Sequence, residues 1–331
     1  MQKLHTYKYN RGLVVGKFYP PHRGHKYLID RARSQCEELT VVLCWKQSET
    51  IPGNIRASWL QKIHPDVHIK VVEDNKLDDD DSKGWAKFTL DILGYTPDVV
   101  FTSEAYGDPY ASFMGTVHEL VDKDRTTIPI SATMVRGNPM KYAQFLEPCV
   151  RAYFACRIVV IGAESTGTTT LARDLAKYYG TVWVPEYGRY YTEGRMHSIQ
   201  EKEWRSEEFI AIAQGQNDLE NALGECSNGL VVCDTDAFAT GIWHERYMGS
   251  RSEKVEYIAT HISHDIYIVT GDEIPFVQDG TRDGEHIRHW MHERFIQRLR
   301  EDGKPYIVVE GNPQKRLEEA VKAIDQLYAD A

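Results

Sequence analysis

The sequence lacks the features that would place it in a membrane, in an oxidising compartment or along a nucleic acid. No hydrophobic run approaches the ~20 residues that cross a bilayer, and residues 1–12 lack the apolar core of a signal peptide. The six cysteines form no C-x-x-C pair, so we expect reduced thiols in a cytoplasmic protein. Lys and Arg total 39 against 49 Asp and Glu, and the resulting net charge of −10 disfavours a DNA-binding surface.

The remaining composition is typical of a globular chain with more than one domain. The 331 residues are enough for about two domains of ~150 residues each. Two segments, beginning near residues 12 and 157, have an apolar strand, a glycine-containing turn and an amphipathic helix in that order. This order is typical of the opening of a parallel α/β sheet. The sequence therefore predicts two consecutive α/β domains, residues 1–150 and 151–331, separated near Pro148.

Further apolar segments predict the strands that complete the two sheets. They lie at residues 39–45, 67–72 and 98–102 in the first half and at 229–233, 265–269 and 305–309 in the second. Helical patterns lie between them, notably at 199–223, 285–300 and 313–327, and predict right-handed crossovers within doubly wound sheets. Four consecutive aspartates at 78–81 are expected to form a solvated loop, with a metal site as the alternative.

The first candidate site follows the first strand, in the sequence GKFYPPHRGH at residues 16–25. His22 and His25 are three residues apart on an opening helical turn and therefore face the same side. The helix N-terminus adds N–H groups and the positive end of its dipole. Two close histidines are alternatively a surface pair or a metal site. The candidate phosphate-binding residues in this segment are Gly16, Lys17, Phe18, His22, Arg23 and His25.

A second segment, about 105 residues further on, favours the phosphate-binding role of the two histidines over the alternatives. Ser131 and Thr133 open a helix and offer hydroxyl groups, and Arg136 offers a guanidinium that can bind phosphate oxygens in pairs. The two segments together resemble the nucleotidyltransferase superfamily, whose signatures are H-x-G-H and I-S-x-T-x-x-R.

The second candidate site is the loop GAESTGTT at residues 162–169, which follows a strand and opens a helix. It matches the phosphate-binding P-loop G-x-x-x-x-G-K-[ST] except that Thr168 replaces the lysine. Thr169 is then in position to bind Mg²⁺, and Asp234, at the end of an apolar strand, has the place of the second Mg²⁺-binding residue. A glycine-rich turn of purely structural role is the alternative. The predicted phosphate-binding residues here are Gly162, Glu164, Ser165, Thr166, Gly167, Thr168, Thr169 and Thr170, with Arg282 and Arg288 on a closing lid.

The chain resembles, from about residue 10 to residue 325, the NadR-type bifunctional nicotinamide mononucleotide adenylyltransferases and ribosylnicotinamide kinases. The resemblance is carried by residues 16–25, 56–60 and 100–107 in the first half, and by the P-loop, residues 185–189, 234–236 and 278–283 in the second. It implies a Rossmann-like nucleotidyltransferase fold followed by a P-loop kinase-like parallel α/β fold. It also implies synthesis of NAD from ribosylnicotinamide and ATP through nicotinamide mononucleotide.

Residue roles follow from the same resemblance. In the first domain it implies that His22, His25, Lys17 and Arg136 clamp the triphosphate of ATP with Mg²⁺, and that substrate lies near Trp45, Arg56, Ser103, Glu104 and Tyr106. Core packing is the alternative role for Trp45. In the second domain it implies that Glu186 or Asp236 orients the attacking hydroxyl, with Tyr187 and Arg189 near the substrate. The choice between the two acids stays open.

Two departures from the family pattern matter. NadR proteins that act as repressors carry a helix-turn-helix domain before the first strand, and the strand that starts near residue 12 is expected to leave no room for it. Thr168 removes the P-loop lysine, so either Arg282 or Arg288 supplies the missing charge or the second domain only senses nucleotide. A homo-oligomer is compatible with the sequence, which specifies no oligomeric state.

Overall fold

The computed structural model describes residues 7–74, 78, 80–196, 203–278 and 284–330. The chain divides into two compact units, Met1–Val150 and Arg151–Ala331. Each unit is an α/β structure with its own five-stranded parallel sheet. The predicted fold class is therefore confirmed. Among the described helices, none is both long and apolar enough to cross a membrane.

The first unit alternates strands and helices up to a short final pair of helices. Its elements are β1 (Tyr9–Gly16), α1 (Arg23–Arg33), β2 (Cys36–Trp45), α2 (Gly53–Ile63), β3 (His68–Glu73), α3 (Ser82–Leu93), β4 (Val99–Thr102), α4 (Gly107–Met114), β5 (Val117–Leu120), α5 (Ala132–Gly137) and α6 (Pro148–Tyr153), the last of which contains the boundary between the units.

Both faces of the first sheet are covered, which explains why its central strands are apolar at successive positions. Val14 and Phe101 pack on one face with Ile29 of α1, and Leu13 and Val100 pack on the other face in a separate cluster. The strand order is β3-β2-β1-β4-β5. Successive connections leave β1 in opposite directions, so a crevice opens at the carboxyl ends of β1 and β4, where such sheets bind ligands.

The second unit repeats this architecture with longer helices. Its elements are β6 (Cys156–Ile161), α7 (Thr168–Tyr179), β7 (Val182–Val184), α8 (Tyr187–Met196), α9 (Ser206–Gly224), β8 (Leu230–Asp234), α10 (Ala237–Met248), α11 (Glu253–Ala259), β9 (Ile266–Thr270), α12 (Arg288–Glu301), β10 (Tyr306–Val309) and α13 (Pro313–Asp330).

The second sheet has the order β10-β9-β6-β8-β7, with β6 at its centre. Ile158 and Val160 pack on one face with residues of α7 and α13, whereas Val159 and Ile161 pack on the other face with α10 and α12. The carboxyl end of β6 therefore emerges between β8 and β9, and the loop that follows it lies at the centre of the sheet edge.

The predicted strands are all present, and their bounds differ by no more than three residues at either end. The sequence reasoning missed the short edge strands β5 and β7. The predicted helix at 199–223 begins at Ser206 within the described residues. The aspartate run forms a turn in which Asp81 caps α3 by accepting a hydrogen bond from the amide of Gly84 at 2.8 Å; Asp79 lies outside the described residues.

Candidate functional sites

The turn between β1 and α1 stacks its two histidines on each other. His22 is the N-cap of α1, and its Nδ1 accepts hydrogen bonds from the amides of Gly24 at 3.1 Å and His25 at 3.4 Å. The two imidazole rings lie 3.8 Å apart at 24°. A side chain at Gly24 would begin only 3.0 Å from the His22 ring, so glycine permits this stack. Because Nδ1 of His22 accepts, its proton is on Nε2.

Both imidazoles are neutral near pH 7. Burial, with the nearby positive charge of Arg125, lowers the pKa of His22 from 6.5 to about 4. Burial, His22 and Arg125 lower the pKa of His25 well below 6.5. Nδ1 of His25 is buried and makes no hydrogen bond with the described residues. The pair is therefore suited to donate neutral hydrogen bonds to a ligand rather than to provide positive charge.

The two motifs of the first unit meet, although they are about 105 residues apart in the sequence. Ser131 caps α5 by accepting a hydrogen bond from the amide of Met134 at 3.2 Å. Arg136, at the end of that helix, donates to the carbonyl of Tyr19 and to the hydroxyl of Thr133. Its guanidinium also lies 4.5 Å from the centre of the Tyr19 ring. Arg136 thus binds the turn that carries the histidines.

Arg56 and Trp45 are placed differently from the predicted substrate contacts. Arg56 is fully buried and donates to the carbonyl of Lys17 at 2.7 Å and to the carboxylate of Glu49 at 2.6 Å. Its role in the structure is to hold the same turn from beneath. Trp45 packs against the core with its ring directly over Gly53 at the start of α2, which favours the packing alternative.

Arg125 is a residue of this site that sequence reasoning missed. It adopts a left-handed conformation with φ of 51° in the loop before α5. The carboxylate of Asp122 holds that loop by accepting hydrogen bonds from the amides of Thr127 and Ile128. Arg125 then donates to the carboxylate of Glu104 at 3.0 Å, and its charge acts on both histidines. A lone arginine in a loop gives no local signal of this position.

The predicted residues Ser103, Glu104 and Tyr106 follow β4 directly, at the crevice beside β1. A chain of hydrogen bonds anchors their turn: Thr102 Oγ1 lies 2.8 Å from Nε2 of His118, whose Nδ1 lies 2.6 Å from the carboxylate of Asp108. Thr102 is buried, so this chain fixes the turn rather than exposing a nucleophile.

The other predicted residues surround the same turn. Phe18 has a φ of 45° and is buried with its ring edge against His25 at 5.0 Å. Gly16 ends β1 beneath the Phe18 ring, and Lys17 is exposed at the mouth of the turn. Arg23 pairs loosely with Glu147 at 3.7 Å on the surface.

The loop after β6 has the backbone conformation that binds phosphate groups in P-loops. Gly167, the N-cap of α7, has a φ of 86°, and Ser165 has a φ of 61°. Successive left-handed and right-handed residues turn backbone N–H groups into one concavity, which favours anions. The hydroxyl of Thr166 is buried and donates to the carbonyl of Ala163 at 2.7 Å, so it stabilises the loop from within. Thr170 is exposed on α7, away from the cleft.

Asp234 lies directly beside this loop. Burial raises its pKa to about 6, against the opposing effects of hydrogen bonds from Thr169 and Thr168 and of the charges of Arg173 and Arg189. A buried carboxylate with a threonine hydroxyl at the start of a P-loop helix is the ligand set that Mg²⁺ prefers. Thr169 and Asp234 therefore fit a Mg²⁺ ion.

Asp236, one of the two acids between which the sequence leaves the choice open, is bonded within the fold. One carboxylate oxygen accepts from the amide of Ala239 at 2.8 Å and caps α10. The other accepts from the hydroxyl of Tyr267 at 2.7 Å. His264 lies 3.5 Å away and links Asp236 to a buried Glu220, which also binds Arg157 at 2.5 Å. Both oxygens are thus occupied in a buried network.

A cleft of about 170 Å³ lies over the loop and contains the second predicted acid, Glu186. Gly188 and Arg189 line the same cleft. Tyr187 is not among the residues that line the cleft, because its ring packs against Gly215 of α9. Sequence reasoning missed the aromatic wall of the cleft, formed by Trp204, Phe209, Trp243 and Tyr247.

Several arginines contact the loop itself. Arg288, a predicted lid residue, donates to the carbonyls of Ile274 at 2.9 Å and Ser165 at 3.4 Å. Arg316 donates to the carbonyl of Thr166 at 2.5 Å. The carboxylate of Glu164 binds Arg246 at 3.1 Å and accepts from the amide of Gly284 at 2.8 Å. Arg282, with the rest of the predicted lid at 279–283, lies outside the described residues.

Comparison with known proteins covers both units. The family model described as an AAA domain matches residues 157–316. The chain is 29% identical over 325 residues to the trifunctional NAD biosynthesis/regulator protein NadR of Escherichia coli, covering 90% of this chain and 78% of that one. It is 27% identical over 348 residues to the protein of the same name from Salmonella typhimurium, covering 97% of this chain and 84% of the relative.

Solved structures share the fold along the chain. A crystal structure of NadR protein in complex with NR superposes with a TM-score of 0.79 at 22% identity, covering 97% of this chain and 96% of that one. A crystal structure of NadR protein in complex with NAD and AMP-PNP has a TM-score of 0.78 at 22% identity, covering 96% of each chain. The predicted resemblance to the NadR proteins is therefore confirmed by the curated relatives, and the solved structures show the same fold.

Proposed function

We propose that the first unit transfers the adenylyl group of ATP to nicotinamide mononucleotide, and that the second unit phosphorylates ribosylnicotinamide with ATP. The observation that carries the proposal is the contact between the two motifs of the first unit, where Arg136 binds the turn that bears His22 and His25. The names of the relatives, which refer to NAD biosynthesis, support it.

In the first unit, a phosphate oxygen of the mononucleotide attacks the α-phosphorus of ATP. The bond from that phosphorus to the bridging oxygen of the β-phosphate breaks, and NAD and pyrophosphate form. His22 Nε2 and His25 donate neutral hydrogen bonds to oxygens on which negative charge develops. Lys17, Arg125 and Arg136 supply positive charge around the same crevice. No covalent intermediate with the chain is required, because positioning and charge stabilisation are enough.

In the second unit, the 5′-hydroxyl of ribosylnicotinamide attacks the γ-phosphorus of ATP, and ADP leaves. Glu186 orients this hydroxyl and accepts its proton, since both carboxylate oxygens of Asp236 are already bonded within the fold. The aromatic wall offers faces on which a flat heteroaromatic ring can stack. The crystal structure of a NadR protein with NR supports this acceptor.

Mg²⁺ would be held in the second unit by Thr169 and Asp234. When bound, it would supply positive charge that offsets the negative charge of the ATP phosphates. A cation at this position would lower the pKa of Asp234 toward its ordinary value, because the cation would offset the effect of burial on the carboxylate.

A second candidate is that the second unit binds nucleotide without transferring phosphate. It is favoured by Thr168, which lines the cleft with Asp234 at the position where a P-loop normally carries a lysine directed at the phosphates. The two candidates agree on binding of Mg²⁺ and ATP and differ only in turnover.

Product analysis tests both halves of the proposal. The protein is incubated with ATP and Mg²⁺ and either nicotinamide mononucleotide or ribosylnicotinamide, and the products are resolved by chromatography, with chelated metal as the control. We expect NAD and pyrophosphate from the mononucleotide, and mononucleotide and ADP from the riboside. Absence of NAD contradicts the first assignment. Binding of ATP without riboside phosphorylation supports the second candidate instead.

A further inference from the structure

The P-loop of the second unit lacks the positive charge that a lysine normally provides at the position of Thr168. A P-loop lysine places one positive charge between the β- and γ-phosphates. Thr168 has no charge, and it lines the cleft together with Asp234. Glu164 and Asp234 add negative charge to the same cleft wall. Phosphoryl transfer at this wall therefore needs a cation from another element of the fold.

The arginines that contact the loop are bonded to the loop's own oxygen atoms. They are Arg316 on the carbonyl of Thr166, Arg288 on the carbonyl of Ser165 and Arg246 on the carboxylate of Glu164. Carbonyl oxygens of a P-loop point away from the concavity that its N–H groups form, so arginines on those carbonyls lie behind the loop. Arg288 and Arg316 therefore stabilise the loop's shape from behind. Arg246 is instead paired with the carboxylate of Glu164 and lies against the rings of Trp243 and Tyr247.

Arg189 lies on the phosphate side of the loop. Of the residues that the structure describes, it is the sole lysine or arginine that lines the cleft, and Thr168, Thr169 and Asp234 line the same cleft. It sits on α8, which is a separate element from the P-loop and its helix. Its guanidinium pairs with Glu193 at 3.3 Å, an exposed pair four residues apart on one helix. Such pairs contribute ~0.5 kcal/mol or less.

We propose that Arg189 supplies, from α8, the positive charge that the P-loop lysine provides in other P-loop proteins, and that it binds the β- and γ-phosphates of ATP. This inference rests on the proposed use of ATP by the second unit. It differs from the expectation that Arg282 or Arg288 replaces the lysine, and from the expectation that Arg189 contacts only the second substrate. Arg288 instead holds the loop from behind.

Equilibrium binding of ATP, ADP and AMP in the presence of Mg²⁺ tests the assignment without requiring any acceptor. Because a hydrogen bond to a charged group is commonly worth one to two orders of magnitude in affinity, Arg189→Gln should weaken ATP binding at the second site about 10- to 100-fold. AMP binding should change less than about twofold, and Arg189→Lys should retain most of the ATP affinity. Every protein used carries Lys17→Gln and His25→Asn, which remove a positive charge and a hydrogen-bond donor from the first site, so that the second site dominates the measured ATP binding. Arg300→Gln removes the same charge from an exposed position on α12 and is the matched control.

A second substitution makes the test specific to the missing lysine. If Arg189 replaces that lysine, Thr168→Lys should restore most of the ATP affinity lost in Arg189→Gln, while adding little to the wild type. Unchanged ATP binding in Arg189→Gln overturns the proposal. Equal weakening of ATP and AMP also overturns it, because that result indicates a general change in the cleft. Failure of Thr168→Lys to restore affinity has the same consequence.

The experiment distinguishes a failure of the Arg189 inference from a failure of the kinase assignment. A protein that phosphorylates no ribosylnicotinamide but shows the ATP-selective loss and its restoration retains this inference and loses the kinase assignment. A protein that phosphorylates the riboside while Arg189→Gln binds ATP normally retains the kinase assignment and loses this inference.

Discussion

The turn after β1 and the turn after β6 occupy the same place in their sheets but differ in electrical character. The first places two neutral imidazoles beside positive charges, with Arg125 and Arg136 bonded to groups of the crevice. The second places carboxylates, Glu164 and Asp234, beside a loop without its lysine. The first turn therefore carries its own cations, whereas in the proposed function the second takes its positive charge from a metal ion and from an arginine of another helix.

The largest expected effect is in the first turn. Changing His25 to alanine removes one preorganised donor, and we expect NAD formation to fall ~10²–10³-fold. The melting temperature should change little, since Nδ1 of His25 bonds to no described group of the fold. Steady-state rates with nicotinamide mononucleotide and a thermal melt provide the measurement. A variant that melts normally and keeps more than about a third of the rate contradicts the role of His25.

The two acids of the second unit provide a sharper contrast. Glu186→Gln should lower riboside phosphorylation about 10²-fold with little change in stability, as expected for loss of a positioned base. Asp236→Asn should instead destabilise the unit by ~3 kcal/mol, because it disturbs a buried network that contains charged partners. Denaturant unfolding and initial rates, measured on both variants, separate these outcomes. The reverse pattern, with Asp236→Asn stable and inactive, would assign the base to Asp236.

The positive charge of Arg125 lowers the pKa of both histidines of the first turn. Arg125→Gln should raise the pKa of His22 above about 4 while leaving it below 6.5, because burial remains its main cause. NAD formation should fall about tenfold through loss of one charge-assisted contact. NMR titration of His22 measures the first effect, and Arg11→Gln, an exposed change of equal charge on β1, is the control. An unchanged His22 pKa would separate Arg125 from the site.

The smallest effect concerns the stability of the second unit as a function of pH. Although burial opposes it, the charge and hydrogen bond of Glu220 raise the pKa of His264 above 6.5. Burial likewise opposes the ionised Glu220, but His264 and Arg157 lower its pKa below 4.5. The contribution of His264 is full below pH 6.5 and is lost as pH rises through its raised pKa. The contribution of Glu220 to stability is full above pH 4.5 and is lost as the pH falls through its lowered pKa.

The network should therefore contribute most between about pH 4.5 and 6.5. Unfolding free energies across this range, compared for wild type and His264→Gln, measure the contribution. The difference between the two proteins should shrink above pH 7. A difference that is independent of pH would show that His264 stabilises the fold as a neutral residue.

Much of the fold and the outline of each candidate site could be predicted from local patterns. Continuous apolar runs followed by glycine-rich turns specify buried parallel strands, and both turns lie at the carboxyl ends of central strands. Arg125 and the aromatic wall could not be predicted, because their place depends on contacts between distant segments. Aromatic residues such as Trp204 in helical patterns are equally typical of a core.

Asp236 illustrates a choice that the sequence leaves open. An acid just after an apolar strand resembles a ligand-binding residue, yet the same position is the N-cap of the next helix. The hydroxyl of Tyr267, 31 residues further along the chain, occupies its second oxygen. Sequence position alone does not distinguish a capping carboxylate from one that faces a cleft.

The most direct test of two separate activities is to measure both reactions in two variants, His25→Asn and Asp234→Asn. Each protein is given ATP and Mg²⁺ with nicotinamide mononucleotide in one assay and ribosylnicotinamide in another. We expect His25→Asn to lose NAD formation and to retain riboside phosphorylation, and Asp234→Asn to show the reverse. Loss of both reactions in either folded variant, or no change in the reaction assigned to the altered site, would contradict the account.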